Sequence, residues 1–104
     1  MKYKIVYSSF VKEDLQNAVT YYKNISAKLA KEFLFRIKEA KNYIVNNPEG
    51  DDIMYKDIRM HNLYQFPYHI HYFIDKTNYQ IVILAIAFSK KEDFLYKTYR
   101  KRIA

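Results

Sequence analysis

Between Tyr64 and Ile74 the sequence alternates. Tyr64, Phe66, Tyr68, Ile70, Tyr72 and Ile74 fall on one side of an extended strand, and Gln65, Pro67, His69, His71 and Phe73 fall on the other. A period of two is the pattern of a sheet with one face against a core, and a helix cannot satisfy it. The stretch from Met54 to Asp75 therefore reads as two neighbouring strands with a short bend at Met60 to Asn62. Arg59 closes the first strand, and Phe66-Pro67-Tyr68 lies within the second. One face of this pair belongs to the core, and the other is available to a partner.

The rest of the chain supplies what covers the sheet. Tyr3 to Tyr7 is a short β-branched and aromatic strand. Ser8 or Ser9 offers an N-cap hydroxyl to a helix carrying Val11, Leu15, Ala18, Val19 and Tyr22 at helical spacing, which stops near Asn24. Ser26 caps a second helix whose apolar stripe is Ala30, Phe33, Leu34, Ile37, Ala40, Ile44 and Val45. Pro48 and Gly50 end it. Two helices joined by so short a turn form an antiparallel hairpin. After the central strand pair, Asp75 to Asn78 is turn chemistry, and Tyr79 to Phe88 is apolar on both sides, as a covered inner strand requires. The fold class is α+β, in the order β-α-α-β-β-β: an N-terminal strand, a helical hairpin, then a three-stranded antiparallel meander.

The 104 residues are expected to form a single domain over 1–104, with 89–104 as a basic C-terminal segment. With no Cys, disulfides and thiolate metal sites are excluded, in keeping with a reducing, cytoplasmic setting. No stretch approaches the roughly 20 apolar residues of a membrane span, so no membrane partner is expected. The formal charge is +7, and it is unevenly spread. Residues 90–104 hold Lys90, Lys91, Lys97, Arg100, Lys101 and Arg102 against Glu92 and Asp93. Such a cluster attracts polyanions, nucleic acid first, or an acidic protein. The single Gly excludes a phosphate-cradling glycine loop.

Several local patterns recur in order along the chain. They are Asp14 and Tyr21-Tyr22, Phe33 to Ile44 with Asn47-Pro48, Ile58-Arg59, Leu63, Phe66-Pro67-Tyr68, Ile70-His71-Tyr72, Ile74-Asp75, and Ile81 to Ile86. In this order the chain resembles the RelE/ParE superfamily of type II toxin–antitoxin toxins. The resemblance implies a twisted antiparallel sheet with the helical hairpin on one face, and a working surface formed by the open face and the C-terminal segment. It also implies a cognate antitoxin that wraps the toxin in a hetero-oligomer. RelE-like members cleave mRNA in the ribosomal A site and ParE-like members poison DNA gyrase; a third class binds its antitoxin without toxicity. No cofactor is implied.

RNA cleavage of this kind needs cations beside a phosphate that gains charge, and a group that moves a proton at the 2′-hydroxyl or the leaving oxygen. By resemblance the catalytic candidates are Arg59, Lys90, Lys91 and Tyr96, with Lys56, Lys97, Arg100 and Arg102 holding RNA phosphates. Arg59 offers a planar fork for phosphate; the competing reading is an ion pair with Asp57 or Asp75. Lys56 faces away from Arg59 on a regular strand, so only one of the two belongs on the working face. Many relatives end the last strand with a His, followed by Arg, Pro and Trp, where this chain has Phe88, Lys91, Asp93 and Tyr96. His69 and His71, on the less apolar side of one strand, are the acid–base candidates that could replace that His. His61, in the bend, reads as surface. With no Cys and no third ligand beside the two histidines, no metal site is expected.

Overall fold

A computed structural model of the chain describes residues 3–89. Its elements are β1 (Lys4–Tyr7), α1 (Val11–Lys23), α2 (Ala27–Asn46), β2 (Ile53–Tyr55), β3 (Ile58–Asn62), β4 (Tyr68–Asp75) and β5 (Gln80–Phe88). The sheet order is β1-β5-β4-β3-β2, so β5 and β4 occupy the interior. This is the expected α+β class, with two differences. The first arm of the meander is broken into β2 and β3 by a turn at Lys56-Asp57, where Lys56 adopts φ 55°. The sheet is also mixed, because β1 runs parallel to β5, with Ile5 opposite Ile81. The α1–α2 hairpin carries the chain across the sheet face between β1 and β2, so β1 can align with β5 without a tight turn.

The strand pair at the centre shifts relative to the sequence reading. Met60 to Asn62 is regular β3, paired with His71 to His69. The bend lies further on, at residues 64–67, where Gln65 takes φ 75° and Pro67 has no N–H to give a ladder. The Leu63 amide closes that loop onto the Tyr68 carbonyl at 2.9 Å. Phe66 and Pro67 thus precede β4, and Tyr64 projects from the loop at 70 % exposure instead of facing the core. From Tyr68 onward the alternation holds: Tyr68, Ile70, Tyr72 and Ile74 face the helices, and Ile70 and Tyr72 are fully buried.

The core fills the space between hairpin and sheet. From α1 come Val11, Ala18 and Tyr22; from α2, Ala30, Phe33, Ile37, Ala40 and Ile44. Leu34, assigned to the stripe by spacing, lies outside it and is exposed. A β-bulge lets β5 contribute Ile81, Ile83 and Ile86 together. His71 pairs with Ala85 but Tyr72 with Ile83, so Leu84 is the extra residue. It flips the parity, bringing an odd-numbered and an even-numbered isoleucine to the same side.

The helix starts differ from one another. Ser26 caps α2 as expected, its hydroxyl accepting from the Leu29 amide at 3.0 Å. Neither Ser8 nor Ser9 caps α1, whose N-cap position is Phe10. Ser8 serves the sheet instead, because β1 ends at Tyr7 while β5 continues. The Ser8 amide donates to the Ile83 carbonyl and its hydroxyl to the Leu84 carbonyl, both at 2.9 Å. One turn into α1, the Asp14 carboxylate accepts from the Ile86 amide at 3.0 Å. Together they satisfy the edge groups of β5 that β1 does not reach. Gly50 is required for proximity: a Cβ there would lie 2.7 Å from the Tyr43 hydroxyl and 3.1 Å from the Asn47 carbonyl oxygen.

Candidate functional site

The sheet has two faces, and the candidate residues divide between them. His69 and His71 lie on the face of β4 turned away from α1 and α2, opposite Asn62 and Met60 of β3 and Ala87 and Ala85 of β5. Their rings sit 6.1 Å apart, edge to face. His71 is 6 % exposed, so it packs within the sheet and offers little surface to a substrate. His69 is half-buried, at the end of the sheet where β5 runs into Ser89. Burial pushes the His69 pKa below its ordinary value, and a hydrogen bond with the Ser89 backbone partly opposes that. The lowered pKa keeps the imidazole neutral near pH 7, with a ring nitrogen open to a proton, and makes it a weaker base than a solvated histidine.

The same desolvation makes a stability prediction. An imidazole whose folded pKa lies below its unfolded value of about 6.5 resists folding once it is protonated. Its penalty is absent above about pH 6.5 and grows as the pH falls from there through the folded pKa. Urea midpoints of the native chain should therefore drop more between pH 7 and pH 5 than those of His69→Gln. Equal drops in both proteins would mean that His69 is not desolvated.

Arg59 points the other way, toward the helices. One Nη donates to the Glu49 carbonyl at 3.4 Å and also to the Asp51 carbonyl. Neither Asp57 nor Asp75 is its partner; backbone carbonyls of the segment after α2 are. Around it lies a polar cluster that the sequence did not announce. The Tyr72 hydroxyl donates to Asp51 Oδ2 and to the Pro48 carbonyl, each at 3.0 Å. His61 Nδ1 lies 3.0 Å from Asp51 Oδ2 and 3.2 Å from Oδ1, and the His61 ring stacks on Tyr43 of α2 at 5.0 Å. His61, read as surface, is thus largely buried in a side-chain network, its side chain 18 % exposed. Burial first, then the hydrogen bond and charge of Asp51, push the Tyr72 phenol above its usual range, so it remains a donor. The arrangement pins residues 48–51 to β3 and β4. Its members are separated by 10 and 21 positions, and only the double acid Asp51-Asp52 after Gly50 hinted at it.

A second surface missed by sequence reasoning lies on the outer side of α2. The Arg36 guanidinium sits 4.6 Å from the Tyr64 ring centroid and 5.3 Å from that of Phe35. Its Nε donates to Gln65 Oε1 at 3.0 Å, and Gln65 Nε2 donates to Glu32 Oε2 at 2.8 Å. Lys28 and Lys31 border the same depression. Arg36 also pairs with Glu39 at 3.3 Å, so its charge is largely balanced locally.

Lys56 occupies the exposed turn between β2 and β3, with its Nζ 6.0 Å from the Tyr55 ring. The parity argument that set it opposite Arg59 assumed a regular strand, and the turn at Lys56-Asp57 removes that premise. Lys90, Lys91, Tyr96, Lys97, Arg100 and Arg102 lie outside the described residues. Among the described residues no group of three or more His, Cys, Asp or Glu is placed to hold a metal ion, and no helix is long and apolar enough to cross a membrane.

The fold as a whole has a solved counterpart. The chain is similar to the E. coli toxin RelE, in a variant with two arginines changed to alanine and in the free state. The TM-score is 0.63 over 100 % of both chains, at 13 % sequence identity. No protein-family model matches the sequence, and no curated protein matches it significantly. At this identity the likeness establishes the fold alone, which is RelE-like.

Proposed function

We propose that this protein is the toxin of a type II toxin–antitoxin pair, acting by RelE-like, ribosome-dependent cleavage of mRNA. The observation that carries the reading is the full-length correspondence of its fold with that of the E. coli toxin RelE. Fold alone does not specify chemistry; the charge distribution adds to it. The last 15 residues hold six Lys and Arg against two acids, and in sequence they come after Ser89, whose backbone hydrogen-bonds with His69. In this proposal Lys90, Lys91, Lys97, Arg100 and Arg102 bind RNA phosphates, Tyr96 stacks on a base or assists proton transfer, and His69 accepts the 2′-hydroxyl proton. Arg59 is left out, since its guanidinium is engaged with the segment after α2 on the helix side. A small acidic antitoxin would cover the same cationic surface.

A second reading, ParE-like inhibition of DNA gyrase, is favoured by two observations. Phe88 stands where the resemblance leads one to expect a histidine, and Arg59 is turned away from the face that carries His69. Inducible expression distinguishes the readings. Ribonuclease action should arrest growth with codon-phased 5′ ends in translated mRNA and unchanged plasmid supercoiling. Lys90→Ala with Lys91→Ala, or Tyr96→Phe, should relieve the arrest at least about tenfold in surviving colonies, the scale of one lost catalytic contribution. Cleaved or relaxed plasmid with intact mRNA would transfer the assignment to gyrase. Normal growth at high expression would end both.

A further inference from the structure

The α1–α2 hairpin does not close evenly on the sheet. Its turn is at residues 24–26, and at the opposite end the start of α1 and the second half of α2 border an open groove of about 440 Å³ over β4 and β5. Its walls and floor are Val11, Leu15, Ile37, Ile70, Ile83 and Ile86, all branched aliphatic side chains. That volume falls within the roughly 300–1,000 Å³ of small-molecule sites. A groove of this character gains little from water, because water needs polar partners that the aliphatic lining does not provide.

The rest of the lining has a different chemistry. Lys12 of α1 and Lys41 of α2 line the groove, together with Tyr7, Ser8 and Ser9. The Lys41 Nζ lies 5.2 Å from the centre of the Tyr7 ring, a cation–aromatic contact that holds the ammonium at the rim. The carboxylate two positions after Lys12, Asp14, accepts from the Ile86 amide of β5, and among the described residues neither Lys12 nor Lys41 is in an ion pair. The Ser8 hydroxyl is likewise taken by the Leu84 carbonyl, which leaves the two ammonium groups as the principal polar feature of the groove. Two compact ammonium charges beside an aliphatic groove complement one kind of molecule: an apolar tail ending in a single anion.

We propose that this groove is a binding site for a medium-chain aliphatic monocarboxylate, with the tail along Leu15, Ile37 and Ile86, above the buried Ile70 and Ile83, and the carboxylate held by Lys12 and Lys41. The site is on the helix side of the sheet, on the opposite face from His69. It stands whether or not the chain is a toxin. A second occupant class, an apolar side chain of a protein partner, would not require a free carboxylate of this kind.

The test is a titration of the full chain with decanoate, held below its micelle concentration, followed by methyl and amide NMR. Saturable one-site binding is expected, with shifts confined to residues 7–15 and 37–41 and to the methyls of Ile70, Ile83 and Ile86. Decanol should bind more weakly and decyltrimethylammonium more weakly still. Reversing both exposed charges, Lys12→Glu with Lys41→Glu, should weaken decanoate at least about tenfold, two surface ion pairs having become two repulsions, and leave decanol unchanged. Leu15→Trp, which fills the groove from one wall, should abolish binding of both. The proposal is overturned if decanoate and decanol bind alike, if the charge reversal leaves decanoate unaffected, or if the shifts lie elsewhere. It also fails if no saturable binding occurs.

Discussion

Phe33→Ala is expected to destabilise the fold by about 3–5 kcal/mol, the usual cost of emptying a buried aromatic site. Phe33 is 0 % exposed, and it is the place where α1, α2 and the sheet meet. Its ring centre lies 5.3 Å from that of Tyr22 on α1, and 5.2 Å from those of Phe66 and Tyr68. The Phe66 and Tyr68 contacts are edge to face, the arrangement that adds about 0.5–1.5 kcal/mol per pair beyond area burial. No neighbour can collapse into the hole without abandoning one of the others, so relaxation recovers little. Against a total stability of roughly 5–15 kcal/mol, the loss should leave the chain near its unfolding midpoint at 37 °C. Urea unfolding followed by circular dichroism measures it. A loss below about 1 kcal/mol would show that the aromatic cluster is not the centre of the core.

Asp51→Ala should cost about 1–3 kcal/mol, because it withdraws an acceptor from two partners at once. Tyr72 is fully buried, and its hydroxyl would retain only the Pro48 carbonyl. His61 would lose the carboxylate that orients its ring against Tyr43. Tyr72→Phe removes the other end of the same contact, so the two changes should not add. The double variant is expected to be about 0.5–3 kcal/mol more stable than the sum of the singles predicts. Since the Tyr72 phenol is pushed up and stays protonated, the coupling should be the same at pH 7 and pH 9. Strict additivity would show that the hydroxyl and the carboxylate do not share their energy. Growth arrest by the double variant, measured alongside, separates this scaffold role from any part in activity.

The helices and the inner strand were legible because their signals are local. Ser26 caps α2 through its own hydroxyl, and the apolar spacing from Val11 to Tyr22 maps onto α1 without a shift. Tyr68 to Ile74 keeps its alternation because every residue pairs with β5 and His69 to Tyr72 pair with β3 as well. The turn was misplaced where local preference and tertiary demand diverge. Met60 to Asn62 has no strong strand residue, yet pairing with β4 makes it β3, and the chain reverses instead at Gln65 and Pro67. Ser8 failed as a helix cap for the same reason: the unsatisfied edge of β5 competed for its hydroxyl and won.

By itself the amino-acid order determined the α+β class, the helical hairpin, the inner strand and the strongly basic segment that follows it. Each rests on periodicity, capping or composition, quantities that a window of a few residues contains. The tertiary structure decided which face each functional side chain meets. Arg59 and His69 stand on strands that pair side by side, yet they face opposite sides of the sheet, one held by backbone carbonyls and the other desolvated on the face turned away from α1 and α2. It also decided that Asp51, His61 and Tyr72 form one network, and that the hairpin leaves a groove lined by Lys12 and Lys41. Those are contacts between positions tens of residues apart, set by strand register, by the bulge at Leu84 and by the angle of the helices, none of which a local pattern encodes.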